Sequence, residues 1–317
     1  MAKFLVEEKG TVRRVTIKGN VMLGGRRITP PPFNTPSSAD TLHRLVECKG
    51  DWWYDELMRR EDPGYVRRRL ESLVGRFGSF RNANVLDMGS GSGSSSLIML
   101  DLGARQVTGI EPDPAFVALA KARASDEGRS SQTEFLSIAD TTHLPFTNGS
   151  FDIVTFNAVL EHLPPSLRTP ILREAYRCLK PGGLLVFTET PNRAFPYDGH
   201  TTRLPFIPWL PLSVSYPMAK LFSRGVERGQ SKEEYISGGL VGGSYFQIKR
   251  ALPDAVCLNA NGGDAAWKTG RKGSGLIVGG ILGIIEGMMN IFGLPLGAVM
   301  PVLDLVYRKP LKTARKR

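Results

Sequence analysis

Apolar and polar positions change rhythm several times along this chain, and each change marks a boundary. Residues 1–50 alternate short β-like runs with turn residues, clearest over Thr11 to Lys18, and then reach Pro30-Pro31-Pro32, which cannot lie inside a helix. This pattern predicts an N-terminal extension. Over 51–82, Trp52, Leu57, Tyr65, Leu70, Leu73 and Val74 recur at helical spacing, broken at Asp62-Pro63-Gly64, which predicts a lead-in of two helices. From Ala83 the rhythm becomes strand, turn, helix, repeated. Strands are expected at Val85 to Met88, Gln106 to Glu111, Thr133 to Ile138, Phe151 to Asn157 and Gly183 to Glu189, with helices at Ser94 to Leu102, Pro114 to Ala124 and around Leu167 to Leu179. That alternation predicts an α/β, doubly wound, mostly parallel sheet over 83–260, with ligands at the carboxyl ends of its strands.

After Glu189 the periodicity fails through a stretch rich in Pro, Gly and aromatics, so 190–243 reads as an irregular functional insertion. Ser244 to Leu252 resumes as a helix and Ala255 to Leu258 as a strand. The last segment, 261–317, holds an apolar stretch from Gly275 to Val306 whose only charges are Glu286 and Asp304. Its second half, Gly287 to Leu303, approaches the ~18 residues that span a bilayer. Asn290, Pro295 and Pro301 argue against one clean transmembrane helix. A re-entrant or interfacial segment is expected instead, with membrane surface contact through 275–317 and the basic tail Arg308 to Arg317 meeting anionic lipid. A buried helical cover or a dimer contact is the alternative.

Composition sharpens this picture in two places. A formal charge of +11 in 317 residues suggests anionic company without choosing among nucleic acid, acidic lipid and phosphorylated substrates. Cys48, Cys178 and Cys257 are isolated, which suggests neither a disulfide framework nor a zinc site, and Lys3, Glu7, Glu8 and Lys9 interrupt any signal-peptide core. A cytoplasmic, membrane-associated location is the expectation.

The candidate chemistry starts at Val85-Leu86-Asp87-Met88-Gly89-Ser90-Gly91-Ser92-Gly93, three glycines between a strand and a helix. Such a turn lets backbone approach a ligand closely, but nicotinamide and flavin enzymes use one too. Ser94 stands where the dinucleotide fingerprint wants Gly or Ala, and no Lys-Ser or Lys-Thr follows as a phosphate loop requires. Glu111, ending the second strand, is placed to accept from ribose hydroxyls. The order decides: Asp87, the glycines, Glu111, Asp140 after strand three, Leu144-Pro145-Phe146, Phe151-Asp152, Leu160-Glu161-His162 after strand four, and Leu179-Lys180-Pro181-Gly182-Gly183. Over Ala83 to Pro191 this series resembles the class I S-adenosylmethionine-dependent methyltransferase family.

The resemblance implies a seven-stranded sheet and S-adenosylmethionine as cofactor. By it, Gly89, Gly91 and Gly93 line the methionine end, Asp87 supports the turn or the methionine amino group, and Glu111 holds the ribose. Asp140 takes the adenine amino group and Asn157 contributes near the methionine. His162 falls where relatives face the substrate cavity. Some quinone-biosynthesis relatives carry an acid three residues before the Glu of this motif and hold a metal there; here that residue is Ala158, and no metal is expected. The post-strand-five segment also looks like that of methyltransferases of cell-surface glycan and lipid pathways.

A sulfonium methyl is already electrophilic, so alignment is the main task, worth up to ~7–11 kcal/mol, and a base adds ~10²–10⁴-fold. His43 and His143 read as structural. Asp198 and His200 in the insertion suggest a carboxylate-oriented base, and Arg193 an anchor for an anionic acceptor group, against a rigid proline loop as the alternative. The expected function is O-methylation of an amphipathic or lipid-linked small-molecule acceptor: a glycan, quinone or isoprenoid. C- or N-methylation stays open. A nicotinamide oxidoreductase is disfavoured by Ser94 and by Leu179 to Gly183; a noncatalytic cofactor-binding membrane protein is the remaining class. Nucleic-acid methylation fits the charge, but basic residues do not interleave with aromatics in the insertion.

Overall fold

The computed structural model describes residues 3–10, 12–223, 229–239, 241–259, 287–289, 291, 294 and 296–311. The chain forms two compact units, Met1–Glu71 with Ser79–Asp140, and Ser72–Gly78 with Thr141–Arg317.

In the first unit, β1 (Lys3–Lys9), β2 (Val12–Lys18), β3 (Val21–Leu23), β4 (Arg26–Ile28) and β5 (Phe33–Thr35) precede the helices. They form an antiparallel sheet of order β1-β2-β5 and a separate β3–β4 hairpin. Next come α1 (Ala39–Lys49), α2 (Trp53–Glu61) and α3 (Val66–Val74). Ser38 caps α1 by accepting from the Thr41 amide at 3.2 Å, and Asp40 complements the positive helix start. Val15 and Ile17 of β2 bury against Leu42 and Leu45 of α1 and Trp53 and Leu57 of α2, one apolar cluster that also includes Leu119. The stretch read as an extension is thus a folded layer, and α1 is a helix that the sequence pattern did not predict.

The same unit continues with β6 (Asn84–Met88), α4 (Ser94–Asp101), β7 (Gln106–Glu111), α5 (Pro114–Asp126) and β8 (Thr133–Ser137). The strands run parallel in the order β6-β7-β8, with Met88 beside Ile110 and Glu111 beside Ser137, so their carboxyl ends share one edge. Asp113 caps α5 through the Ala115 amide at 2.8 Å, ahead of Pro114, whose missing donor costs nothing at that position.

The second unit contains β9 (Phe151–Asn157), α6 (Pro165–Cys178), β10 (Leu179–Pro191), α7 (Leu212–Phe222), α8 (Lys232–Ser237), α9 (Tyr245–Ala251), β11 (Val256–Cys257) and β12 (Val302–Arg308). β10 pairs parallel with β9 and antiparallel with β12, which pairs antiparallel with β11. With three strands in the first unit and four in the second, the mostly parallel seven-stranded sheet expected from the sequence is present.

Two expectations are corrected. The apolar run 275–306 does not end as a membrane-contacting segment: Leu303, Leu305, Val306 and Tyr307 are buried in β12 as sheet core. A strand covered on both faces reads as a continuous apolar run, which periodicity alone cannot tell from a lipid-facing one. Residues 260–286, the earlier part of that stretch, and the tail 312–317 lie outside the described residues. Among the described residues no helix is long and apolar enough to cross a membrane. Likewise, the insertion 190–243 is not irregular throughout. It contains α7, which tolerates Pro217, and α8, begun by a reciprocal cap between Ser231 and Glu234.

Candidate active site

In the first unit the carboxyl edge of β6-β7-β8 carries the glycine turn. Gly89, Gly91 and Gly93 all have positive φ (68°, 51° and 81°), a conformation other residues adopt at a cost. They differ in surroundings. A Cβ on Gly91 would meet nothing within 4 Å, whereas one on Gly93 would press on Ala120 at 3.0 Å and Phe135 at 3.2 Å. Gly91 therefore leaves open space for a ligand, while Gly93 serves helix–strand packing.

Glu111 accepts from the Gly91 amide at 3.0 Å through Oε2 and from the Asp113 amide at 3.2 Å through Oε1. Burial raises its pKa. A carboxylate has about four acceptor sites, so capacity remains for a pair of vicinal hydroxyls. Asp87, fully buried, accepts from the Ser95 and Ser96 hydroxyls, each at 2.7 Å, and so holds the first turn of α4 against β6. Asp140 is exposed just beyond β8, and the Ser90 hydroxyl is buried in the glycine turn without a hydrogen-bond partner. An open cradle at Gly91 and a half-engaged carboxylate at Glu111 fit an adenosyl amino acid.

A second arrangement in this unit was not legible as a motif. Glu56 of α2 accepts through Oε1 from Ser92 Oγ at 2.6 Å and Ser94 Oγ at 2.8 Å, the two serines at the end of the glycine turn. The buried Arg123 of α5 donates through Nη1 to both hydroxyls at 2.8 Å, and Lys49 Nζ lies 3.3 Å from Glu56 Oε2. Burial opposes the Glu56 charge, but Lys49, Arg59, Arg123 and the Ser92 hydroxyl outweigh it and hold the carboxyl at about 2. The folded N-terminal layer thereby clamps the turn.

In the second unit, two non-glycine residues have positive φ at the carboxyl edge: Ala158 (51°), just after β9, and Glu189 (61°), in the register shift of β10 against β12. Such strain concentrates at functional edges. Asn157 accepts from the Thr188 hydroxyl, while its Nδ2 is buried with no hydrogen-bond partner. Glu161 is fully buried; Thr190 Oγ1 donates to its Oε2 at 2.9 Å, and its Oε1 has no hydrogen-bond partner. Burial pushes this carboxyl up to about 7 against the lowering effect of Thr190 and His200. His162 Nε2 lies 3.8 Å from Glu161 Oε1, its Nδ1 pairs with the Ser237 carbonyl, and its ring centroid is 6.1 Å from that of His200. A Cβ on Gly239, at φ +90°, would meet the His200 ring at 3.1 Å and Glu161 Cγ at 3.3 Å, so both side chains border that one glycine. His200, Arg193, Tyr197, Glu189 and Gly239 line a cavity of about 310 Å³.

Asp198 does not orient the His200 imidazole. Its carboxylate is occupied by the amides of His200, Thr201 and Thr202 and by the Thr202 hydroxyl, at 2.7–3.0 Å, the pattern of a side-chain-built turn. Thr201 is the orienting group. Its hydroxyl donates to the Gly238 carbonyl at 3.1 Å and lies 3.0 Å from His200 Nδ1. With its one proton given to Gly238, that hydroxyl accepts from Nδ1–H, and Nε2 keeps its lone pair. Among the described residues no group of His, Cys, Asp and Glu suits a metal.

Compared with known proteins, the chain matches the Methyltransferase domain family over residues 86–187. It is similar to the ubiquinone biosynthesis O-methyltransferase of Xanthomonas campestris pv. campestris (strain B100), with 32% identity across 52% of this chain and 67% of that one. It is also similar to the demethylmenaquinone methyltransferase of Lactococcus lactis subsp. lactis, with 29% identity across 62% of this chain and 70% of that one. Among solved structures, an S-adenosylmethionine-dependent methyltransferase from Methanosarcina mazei shares 30% identity across 38% of this chain and 57% of that one, at a TM-score of 0.34. The chain thus spans about two thirds of the length of these curated relatives.

Proposed function

Because the chain belongs to the class I S-adenosylmethionine-dependent methyltransferase family, we propose that it O-methylates an amphipathic acceptor of the quinone or lipid-linked kind, held in the cavity beside His200. When bound, the cofactor supplies an electrophilic methyl on sulfur. Gly91 and Glu111 would hold it, with Asp140 at the adenine end, while Asp87, Gly93 and the Glu56 clamp keep the turn in shape.

The Thr201-fixed tautomer of His200 carries the acceptor half of this reading. Its Nε2 lone pair takes the acceptor hydroxyl's proton as the oxygen attacks, a contribution of ~10²–10⁴-fold. Positive charge at His200 lowers the pKa of the nearby buried Glu161 carboxyl. Arg193 meets an anionic group of the acceptor, and His162 acts through Glu161. The similarity to a ubiquinone biosynthesis O-methyltransferase supports the acceptor class.

The test is incubation of purified protein with methyl-labelled cofactor and a membrane-lipid extract, followed by mass spectrometry of the labelled species. A methyl ether on a quinone-like or lipid-linked product is expected. His200→Ala is expected to lower kcat by ~10²-fold or more while leaving adenosylhomocysteine affinity unchanged. A ring-carbon methyl in the product, or full turnover by the alanine variant, refutes the oxygen-acceptor mechanism.

A further inference from the structure

The segment from Arg193 to Ser223 carries an apolar face that no described residue covers. On α7, Val214, Met218, Leu221 and Phe222 are exposed at positions i, i+4, i+7 and i+8, a single stripe, with Leu221 68% and Phe222 59% exposed. The other side of the helix is the packed one: Ser215 and Ala219 are buried, and Tyr216 meets Tyr235 edge-on at 5.1 Å. Just before the helix, Phe206 (58% exposed) and Trp209 (55%) stand with ring centroids 5.5 Å apart. Ile207, between them, packs in one cluster with Ala219 and fixes the pair beside α7. Phe206 has φ +59°, a conformation that costs a bulky residue ~1–2 kcal/mol. Trp209 donates its Nε1–H to the Ala194 carbonyl at 3.1 Å, which satisfies the polar end while the ring faces water.

Charge narrows what this face meets. Between Arg193 and Ser223 the one acidic residue is Asp198, which is buried and engaged by backbone amides, while Arg193, Arg203 and Lys220 are basic. An aromatic pair, an aliphatic stripe and, within 193–223, basic side chains without an exposed acid match an anionic bilayer surface; the exposed Glu233 and Glu234 sit on α8, which packs on the other side of α7 through Tyr235. Tyr197 and Pro208, from this same segment, line the cavity that holds His200. We propose that α7 and the preceding turn dock on an anionic lipid surface, with Phe206, Trp209, Leu221 and Phe222 entering the interface at the cavity mouth.

Flotation of the full chain with vesicles of phosphatidylethanolamine and phosphatidylglycerol tests this, since neither cofactor nor acceptor is needed and failure would leave the methyl-transfer reading untouched. The wild-type protein is expected to float with these vesicles and not with phosphatidylcholine alone. Trp209→Ser combined with Leu221→Ser is expected to reduce binding about tenfold or more, with unchanged adenosylhomocysteine affinity showing an intact fold. Equal flotation of the variant, no flotation of the wild type, or a wild-type dimer that these substitutions dissociate would each overturn the proposal, the last by identifying a second copy as the occupant.

Discussion

Replacing Glu161 by Gln removes one ionisable proton while keeping shape and the hydrogen bond from Thr190. Burial raises this carboxyl from its ordinary 4.5 to about 7, with Thr190 and His200 lowering it and Glu189 raising it; the buried Arg168 also faces it. At 1.36 kcal/mol per pKa unit, the shift corresponds to ~3 kcal/mol. Below pH 4.5 the carboxyl is neutral in both folded and unfolded chains, so Glu and Gln differ little. Between 4.5 and 7 the unfolded chain ionises while the folded one keeps its proton, and wild-type stability falls as pH rises. The Gln variant does not share that loss. Urea unfolding at pH 5 and pH 8 should therefore show nearly equal stability at the lower pH and a Gln variant ~3 kcal/mol more stable at the higher one. A difference that does not change with pH would refute the assignment of a neutral, buried Glu161. In turnover, the same variant is expected to lose the pH-rate limb near 7, because no carboxylate then answers the charge on His200.

Glu56→Gln should weaken adenosylhomocysteine binding by about tenfold, read by calorimetry, because a charge-assisted clamp on Ser92 and Ser94 contributes ~1.5–3 kcal/mol; unchanged affinity would make the cluster purely structural. Since that carboxyl is held at about 2, its contribution to stability is complete above pH 4.5 and is lost as pH falls toward 2, a loss the Gln variant should lack in acid unfolding. Gly91→Ala has room for its methyl but not the backbone conformation, so a stability loss of ~1–2 kcal/mol with weaker cofactor binding is expected in thermal unfolding and calorimetry. Leu305→Ala should cost ~2–5 kcal/mol in urea unfolding, as for a core residue, and a near-zero cost would reinstate a lipid-facing reading of β12.

The parallel strands were legible because each one, from Val85 to Gly183, is a short apolar run bounded by turn residues, and because the acids that follow them sit at fixed places in the order. Among the described residues three helices escaped: α8 has only six residues, and the other two have different reasons. In α1, Thr41, Leu42, Leu45 and Val46 give a sound helical face, but the proline run before it drew the whole segment into one irregular reading. In α7 the apolar stripe faces outward, and Pro211 and Pro217 look like breakers although the first only precedes the helix. Hydrogen bonding between residues distant in sequence was invisible. Nothing about Glu56 predicts that it reaches Ser92 and Ser94, and nothing about Asp198 beside His200 predicts that its carboxylate turns to backbone amides while Thr201 fixes the imidazole.

Burial alone does not say which carboxylate works as scaffold and which exchanges protons. Glu56 and Glu161 are each removed from water in their own unit, and burial pushes both toward the neutral form. Glu56 meets hydroxyls from Ser92 and Ser94 and the charges of Lys49, Arg59 and Arg123, so it keeps its charge down to about 2. Glu161 receives one hydroxyl, from Thr190, and leaves Oε1 without a hydrogen bond, so it holds its proton up to about 7. A clamp on a cofactor turn has to stay ionised across the working range, and five surrounding partners ensure that it does. A group that answers the appearance of charge on a neighbouring imidazole has to stand near its midpoint, and that requires leaving one oxygen unsatisfied. The orphaned Oε1 is thus the price of a titratable site, and filling it with a new donor should fix Glu161 in its ionised form and move the pH-rate limb downward.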